Sequence, residues 1–285
     1  MSLGPVEIFE VGPRDGLQNE TRPIPVAEKV ALVDCLSKAG FSRIEIASFV
    51  NPSKVPQMAG SGEVLAGITR KNGVRYAALT PNMRGYEDAK AAGADEVAIF
   101  ASASEGFSKA NVGASIDESF ARFAPILEDA RHIDLPVRGY VSCVIDCPYD
   151  GPVTPDQVAA VADRLFAMGC YEISLGDTTG AGTPDSIARM LLAVREAVPA
   201  GRLAGHFHDT NGRAMDNIDA SLALGVRVFD AAVGGLGGCP FAPGATGNVA
   251  TENVAAHLTA LGYDTGLDLD IIAQATTMAQ AMRSG

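Results

Sequence analysis

The chain contains no run of the roughly 18 consecutive apolar residues that a membrane-spanning helix needs, although 47% of its 285 residues are hydrophobic. That length and composition permit a large buried core and set aside disorder and a membrane span. Cations are scarce: 22 Lys and Arg against 34 Asp and Glu leave a net charge of −12. Phosphate backbones are bound through clustered Lys and Arg, so a nucleic-acid partner is excluded and an anionic substrate has to be met locally. Cysteine is sparse too. The five thiols, Cys35, Cys143, Cys147, Cys170 and Cys239, are an odd number scattered through a large chain, unlike a disulfide framework. Cys143-x-x-x-Cys147 has no second cluster with which to build a zinc site and reads as buried or loop thiols. The amino terminus enters a strand-like stretch without a charged and apolar leader, which leads us to expect a cytoplasmic protein. There is no Gly-x-Gly-x-x-Gly after the first strand, no Walker-type loop and no low-complexity linker, and the usual reasons to assign a nucleotide-binding open sheet or two domains are thereby removed.

What is present is a repeat of architecture. Short β-branched or aromatic runs recur at Val6–Val11, Arg43–Phe49, Tyr76–Thr80, Glu96–Ala101, Val137–Cys143, Tyr171–Leu175, Leu203–His208 and Val226–Ala231. Between them lie amphipathic, alanine-rich stretches, among them Ala27–Lys38, Met83–Ala92, Ile116–Ala130, Pro155–Ala167, Pro184–Val198 and Arg213–Leu224. Glycines 40, 93, 169 and 225 follow several of these, and Thr154-Pro155 and Thr183-Pro184 place a hydroxyl cap before a first-turn proline, so the stretches carry helix stop and start signals. Alternation of this kind over eight units predicts an α/β fold, a (β/α)₈ TIM barrel, with a doubly wound open sheet as the alternative. We expect one catalytic domain over residues 1–285, the barrel occupying about 5–262 and an extra C-terminal helix about 266–283.

Four histidines occur in the chain, and two of them, His206 and His208, stand in Gly205-His-Phe-His-Asp-Thr-Asn-Gly212. Spacing of i and i+2 on a strand directs both rings to one face, here at the carboxyl end, where barrel enzymes keep their chemistry. The first strand runs into Arg14 and Asp15, and the segment after the eighth carries Asn248. Strands one and eight are neighbours in a closed barrel. Asp15, His206, His208 and Asn248 then form a mixed N/O ligand set suited to Mg²⁺ or Mn²⁺ before Zn²⁺. Val233-Gly-Gly-Leu-Gly-Gly-Cys-Pro-Phe-Ala-Pro-Gly reads as a lid loop whose reactive group is Cys239. A phosphate cradle is the other reading of these glycines.

Six motifs, Gly12-Pro-Arg-Asp-Gly-Leu-Gln-Asn-Glu20, Ser48-Phe-Val50 with Val55-Pro-Gln-Met58, Gly139-Tyr-Val-Ser-Cys143, Ser174-Leu-Gly-Asp-Thr178, His206-Phe-His-Asp-Thr210 and Gly234 to Glu252, together resemble the 3-hydroxy-3-methylglutaryl-CoA (HMG-CoA) lyase family. The likeness spans nearly the whole chain, in order. The wider group of metal-dependent lyases and Claisen-condensing enzymes shares the Asp and the His-x-His, whereas the Gly-Gly-Cys-Pro loop and the Gly-Leu-Gln-Asn-Glu segment are particular to the lyase. By resemblance, Asp15, His206, His208 and Asn248 surround a divalent cation, Arg14 meets the substrate acyl oxygen, Cys239 is an acid/base on the loop, and Glu45 and Asp177 are supporting acidic residues. Lys54 and Arg84 are weak candidates for contacts to coenzyme A.

The implied reaction is retro-Claisen cleavage of (S)-3-hydroxy-3-methylglutaryl-CoA, or a close 3-hydroxyacyl-CoA analogue, to acetyl-CoA and acetoacetate, as in leucine catabolism and ketone-body formation. The resemblance also implies an acyl-CoA substrate and a homodimer, while charge and hydropathy lead us to expect no nucleic-acid or membrane partner. Two alternatives stay open: a lyase for the longer 3-hydroxy-3-isohexenylglutaryl-CoA, and a condensing synthase of the isopropylmalate synthase type that uses the same metal set.

Overall fold

The computed structural model describes residues 3–237 and 247–283. Eight parallel strands form a closed barrel: β1 (Glu7–Glu10), β2 (Arg43–Ser48), β3 (Arg75–Leu79), β4 (Glu96–Ser102), β5 (Val137–Ser142), β6 (Glu172–Asp177), β7 (Leu203–Phe207) and β8 (Val228–Ala231). Each lies beside its sequence neighbours. β1 closes on β8 with Glu7 opposite Val228 and Glu10 opposite Ala231, and closure leaves no unpaired sheet edge. The helices are α1 (Val26–Leu36), α2 (Ser61–Gly67), α3 (Met83–Ala91), α4 (Glu105–Val112), α5 (Ile116–His132), α6 (Pro155–Met168), α7 (Pro184–Val194), α8 (Ala214–Ala223), α9 (Thr251–Leu261) and α10 (Leu269–Arg283).

The barrel read from sequence is therefore the observed fold, and every strand falls within two residues of its expected run. The cap signals also hold: Thr154 and Thr183 each accept a hydrogen bond from the backbone N–H three residues on, and Gly169 ends α6 in a left-handed conformation. Helix α7 stops at Val194 rather than Val198 because the chain tightens into turns ahead of Pro199, which disfavours helix at the preceding residue. The C-terminal helix α10 is present and packs Ile272, Ala275, Ala279 and Met282 inward.

The lumen is unusual in what it buries. Aliphatic side chains fill the layer between sheet and helices, but lumen-facing positions carry Arg43, Glu45, Arg138, Glu172, Ser174 and Asp230, all buried. Burying so many charges is tolerable only when each is paired. Arg43 donates to Glu7 and Glu172, and Arg138 donates to Glu172 and Asp230. Both cations pack against Phe9, its ring centroid 4.9 Å from the Arg43 guanidinium carbon and 4.4 Å from that of Arg138, within cation–π range.

At the carboxyl end, Glu10 holds both roots of the segment that follows β8. Its Oε1 accepts from Gly12 N (2.7 Å) and Val233 N (3.0 Å), and Oε2 accepts from the Thr251 hydroxyl (2.6 Å). Glu10→Ala should strand two buried N–H groups and lower stability by about 3 kcal/mol in urea unfolding, whereas Glu10→Gln retains an acceptor and should lose much less. Burial outweighs these hydrogen bonds and pushes the Glu10 carboxyl up from 4.5 to about 7. A folded state that holds its proton more tightly than the unfolded one gains stability below 4.5 and loses it as pH rises through 7. Glu10→Gln should flatten that decline, and a wild-type midpoint for Glu10→Ala would refute the bracing role.

Candidate metal centre at the carboxyl mouth

Beyond β1 the chain makes one turn of π-helix, Gly12–Gly16. The N–H groups of Arg14, Asp15 and Gly16 all point at the Val11 carbonyl, at 3.2, 2.8 and 3.2 Å. Such turns are frequent at functional sites, and this one projects Arg14 and Asp15 into the barrel mouth. At the end of β7, His206 and His208 present their rings side by side, with centroids 5.4 Å apart. Ligand atoms of Asp15, His206 and His208 all lie within 4.8 Å of one another. Asn248 joins them: its backbone bridges that of His208, and its Nδ2 donates to Asp15 Oδ2 at 2.8 Å and to the Leu236 carbonyl at 3.3 Å. The four residues expected to be ligands from sequence are brought together.

Electrostatics prepare the cluster for a cation. Burial works against ionisation of Asp15, but Arg14 and the two imidazoles outweigh it and hold the carboxyl at about 2. Burial, followed by the neighbouring His206, depresses His208 to about 4, so its ring is neutral at physiological pH. His208 Nδ1 is buried without a hydrogen-bond partner. A carboxylate, two imidazoles and an amide with an unsatisfied buried nitrogen among them fit a divalent cation.

Arg14 is buried and fixed. Its Nε donates to Glu45 Oε2 at 2.5 Å, its Nη1 donates to Asp15 Oδ1 at 2.6 Å, and its guanidinium carbon lies 5.7 Å from the Tyr140 ring centroid. Glu45 sits beneath it, wholly buried, with Oε1 unpartnered; burial raises its pKa against the pull of Arg14. Asp177 is placed differently. It ends β6 facing its own following loop, where Oδ2 accepts Gly182 N at 2.8 Å, and burial raises it to about 6. It does not line the cavity. Cys239 lies outside the described residues. The described stump, Gly237, sits against the cluster with φ of +95°, and a Cβ there would approach Asn248 Nδ2 to 2.9 Å and Gly16 Cα to 3.2 Å, so glycine is required.

The cluster opens into a cavity of about 700 Å³. Val50, Val55, Leu79, Phe100 and Phe107 supply its apolar wall, while Lys54 and Arg122 stand among its lining. Arg84, a sequence candidate for coenzyme A contacts, does not. Cys143 and Cys147 are both buried, as expected of packing thiols. Sequence reasoning missed Tyr140, which lines the cavity with a buried hydroxyl lacking a partner, and missed Asp230 and Arg138 beneath His206. The sequence signal is partial: a charge within an otherwise apolar strand calls for a buried partner, but it does not say which residue that partner is.

A closed parallel barrel with a carboxylate–imidazole cluster and a fixed arginine at its carboxyl mouth defines the class of divalent-metal barrel enzymes. Comparison narrows the class. The HMGL-like family model matches residues 5–279. A Pseudomonas aeruginosa protein named 3-hydroxy-3-isohexenylglutaryl-CoA/hydroxy-methylglutaryl-CoA lyase is 58% identical over 270 residues, covering 95% of this chain and 90% of that one. A crystal structure of the HMG-CoA lyase from Brucella melitensis superposes with a TM-score of 0.98 at 59% identity, covering 99% of this chain and 100% of the other. An HMG-CoA lyase from Acinetobacter baumannii, solved with coenzyme A and 3-methylmalate, has a TM-score of 0.93 at 37% identity, covering 98% and 92%. The chain belongs to the HMGL-like family.

Proposed function

We propose that this chain is a hydroxymethylglutaryl-CoA lyase that cleaves (S)-3-hydroxy-3-methylglutaryl-CoA to acetyl-CoA and acetoacetate. The observation that carries the reading is the Asp15, His206 and His208 cluster beside the fixed Arg14, on a chain that is 58% identical to a relative named for this activity. Asp15, His206, His208 and Asn248 would hold the cation, Mg²⁺ or Mn²⁺. When bound, it supplies Lewis-acid polarisation of an oxygen and a template for substrate.

The remaining work falls to side chains. Cleavage removes the C3 hydroxyl proton, turns C3–O into the ketone of acetoacetate, and sends the C2–C3 electron pair into the thioester as an enolate, whose C2 is then protonated. Arg14, permanently charged and planar, stabilises the enolate oxygen. Cys239 moves protons between the hydroxyl and C2. Glu45 orients Arg14, and Asp177 shapes the loop behind Thr178, which lines the cavity. Lys54 and Arg122 supply positive charge to the anionic coenzyme A portion on a chain that is otherwise net negative. The A. baumannii relative, bound to coenzyme A, supports an acyl-CoA substrate. We further propose a cytoplasmic homodimer serving leucine breakdown and ketone-body formation. No helix among the described residues is long and apolar enough to cross a membrane.

The apolar wall of Leu79, Phe100 and Phe107 favours a second activity on the isohexenyl analogue, the other substrate in the P. aeruginosa relative's name. Product analysis decides among these readings. Purified protein with Mg²⁺ should release acetyl-CoA and acetoacetate in equal amounts from HMG-CoA, and kcat/KM for the isohexenyl thioester measures the second activity. Release of free coenzyme A from acetyl-CoA and an oxo acid, without cleavage of HMG-CoA, would establish the synthase instead.

A further inference from the structure

Two imidazoles flank the proposed metal position, yet they are supported differently. His208 Nδ1 has no hydrogen-bond partner. His206 Nδ1 lies 3.1 Å from Asp230 Oδ2, while its Nε2 faces Asp15 Oδ2 at 3.9 Å. Asp230 is buried in β8 and cannot turn: Oδ2 also accepts Arg138 Nη1 at 3.0 Å and the Ser174 hydroxyl at 2.8 Å, and Oδ1 accepts Arg138 Nη2 at 2.7 Å. Arg138 is held in turn by Glu172 at 2.7 Å and stacks 4.4 Å from the Phe9 centroid. The Arg138 fork spans both oxygens of Asp230, and each accepts, the geometry of a carboxylate paired with a guanidinium. An ionised carboxylate only accepts. The His206 proton therefore resides on Nδ1, and in the neutral ring the lone pair is left on Nε2, toward Asp15.

We infer that Asp230, clamped by Arg138, is a positioning residue that fixes the tautomer and direction of His206 so that Nε2 serves as the metal donor. This rests on the metal reading above and extends it to a buried pair that neither touches substrate nor lines the cavity. Second partners of this kind set ligand basicity as well as orientation, and their loss typically costs 10–100-fold in metal affinity. The alternative is a barrel-filling salt bridge with no bearing on the metal.

The test uses metal-free full-length protein and Mn²⁺ alone, with free Mn²⁺ read by electron paramagnetic resonance and the His206 ring read by ¹⁵N NMR at a pH where it is neutral. Wild type should bind one Mn²⁺ and carry its His206 proton on Nδ1. Asp230→Ala should weaken Mn²⁺ binding 10–100-fold and abolish the Nδ1 preference. Because that variant takes from the buried Arg138 one of its two carboxylate partners and leaves it only Glu172, Asp230→Ala/Arg138→Met, which removes both charges, serves if the single variant does not fold, and the same loss is expected of it. A folded variant that binds Mn²⁺ within twofold of wild type overturns the positioning role while leaving the metal site standing. So does a wild-type His206 protonated on Nε2. Wild type that binds no Mn²⁺ overturns the metal reading itself, and this inference with it.

Discussion

Stripping divalent cations from the protein should cut cleavage of HMG-CoA by roughly 10³-fold or more, the effect of losing several kcal/mol of charge stabilisation, with recovery on adding Mg²⁺ or Mn²⁺. The structure makes the dependence steep. Arg14 is the fixed cation beside the cluster, and its charge is already shared between Glu45 and Asp15, so it has little left with which to compensate at a second oxygen. Two substitutions separate the ligand role from other effects. Asp15→Ala removes a carboxylate that also pairs with Arg14, and so mixes metal loss with a freed guanidinium. His208→Ala is the cleaner variant, because it leaves the Arg14–Asp15 pair in place and gives up a single hydrogen bond between the ring and the Thr178 backbone. It should raise the Mn²⁺ concentration needed for half-maximal activity by well over an order of magnitude, as deletion of a ligand exceeds the 10–100-fold cost of losing a supporting group, and leave the unfolding midpoint of the metal-free protein nearly unchanged. Full activity in excess chelator would end the metal reading.

The parts of the molecule legible in sequence are those governed by local rules. Short β-branched or aromatic runs, threonine-proline entries and glycine exits follow from local backbone preferences, and the eight runs match the eight strands. The clustering of these four residues was legible because His206 and His208 share a strand face and closure makes β1 the neighbour of β8, bringing Asp15 and Asn248 to them. Less regular features escaped. Helices α2 and α4 are seven and eight residues long, too short for a periodic pattern to stand out. The filling of the lumen escaped for another reason. A lone Arg138 or Asp230 in a strand reads as a polar interruption, and its partner is 92 residues away, so only closure of the barrel shows that the two charges neutralise each other under His206. Asp177 was suggested by resemblance alone, and its carboxylate binds its own loop next to the cavity-lining Thr178.

Arg14→Met should lower kcat by roughly 10²-fold or more, the cost of losing one preorganised donor at a developing oxyanion, while KM changes much less. The split between the two constants follows from the geometry. The guanidinium is immobilised before substrate arrives, through Nε to Glu45, Nη1 to Asp15 and the face of Tyr140, so no ordering cost is incurred as negative charge grows on the thioester oxygen. An interaction that strengthens only as that charge develops appears in kcat rather than in ground-state binding. Arg14→Lys should fare little better than methionine, because a single ammonium cannot span Glu45 and Asp15 and still present a planar donor edge. Loss of Arg14 also leaves Glu45 buried beside Asp15 without its counter-ion, but the Glu45 pKa is already raised, so the variant can protonate that carboxyl and remain folded. Thermal unfolding of Arg14→Met checks this, and Arg14→Met/Glu45→Gln, which removes the orphaned charge, should recover any lost stability without recovering kcat. A variant with wild-type kcat and only a raised KM would show that Arg14 binds substrate and does not stabilise the enolate, and charge stabilisation would then pass to the His206 and Tyr140 side of the cavity.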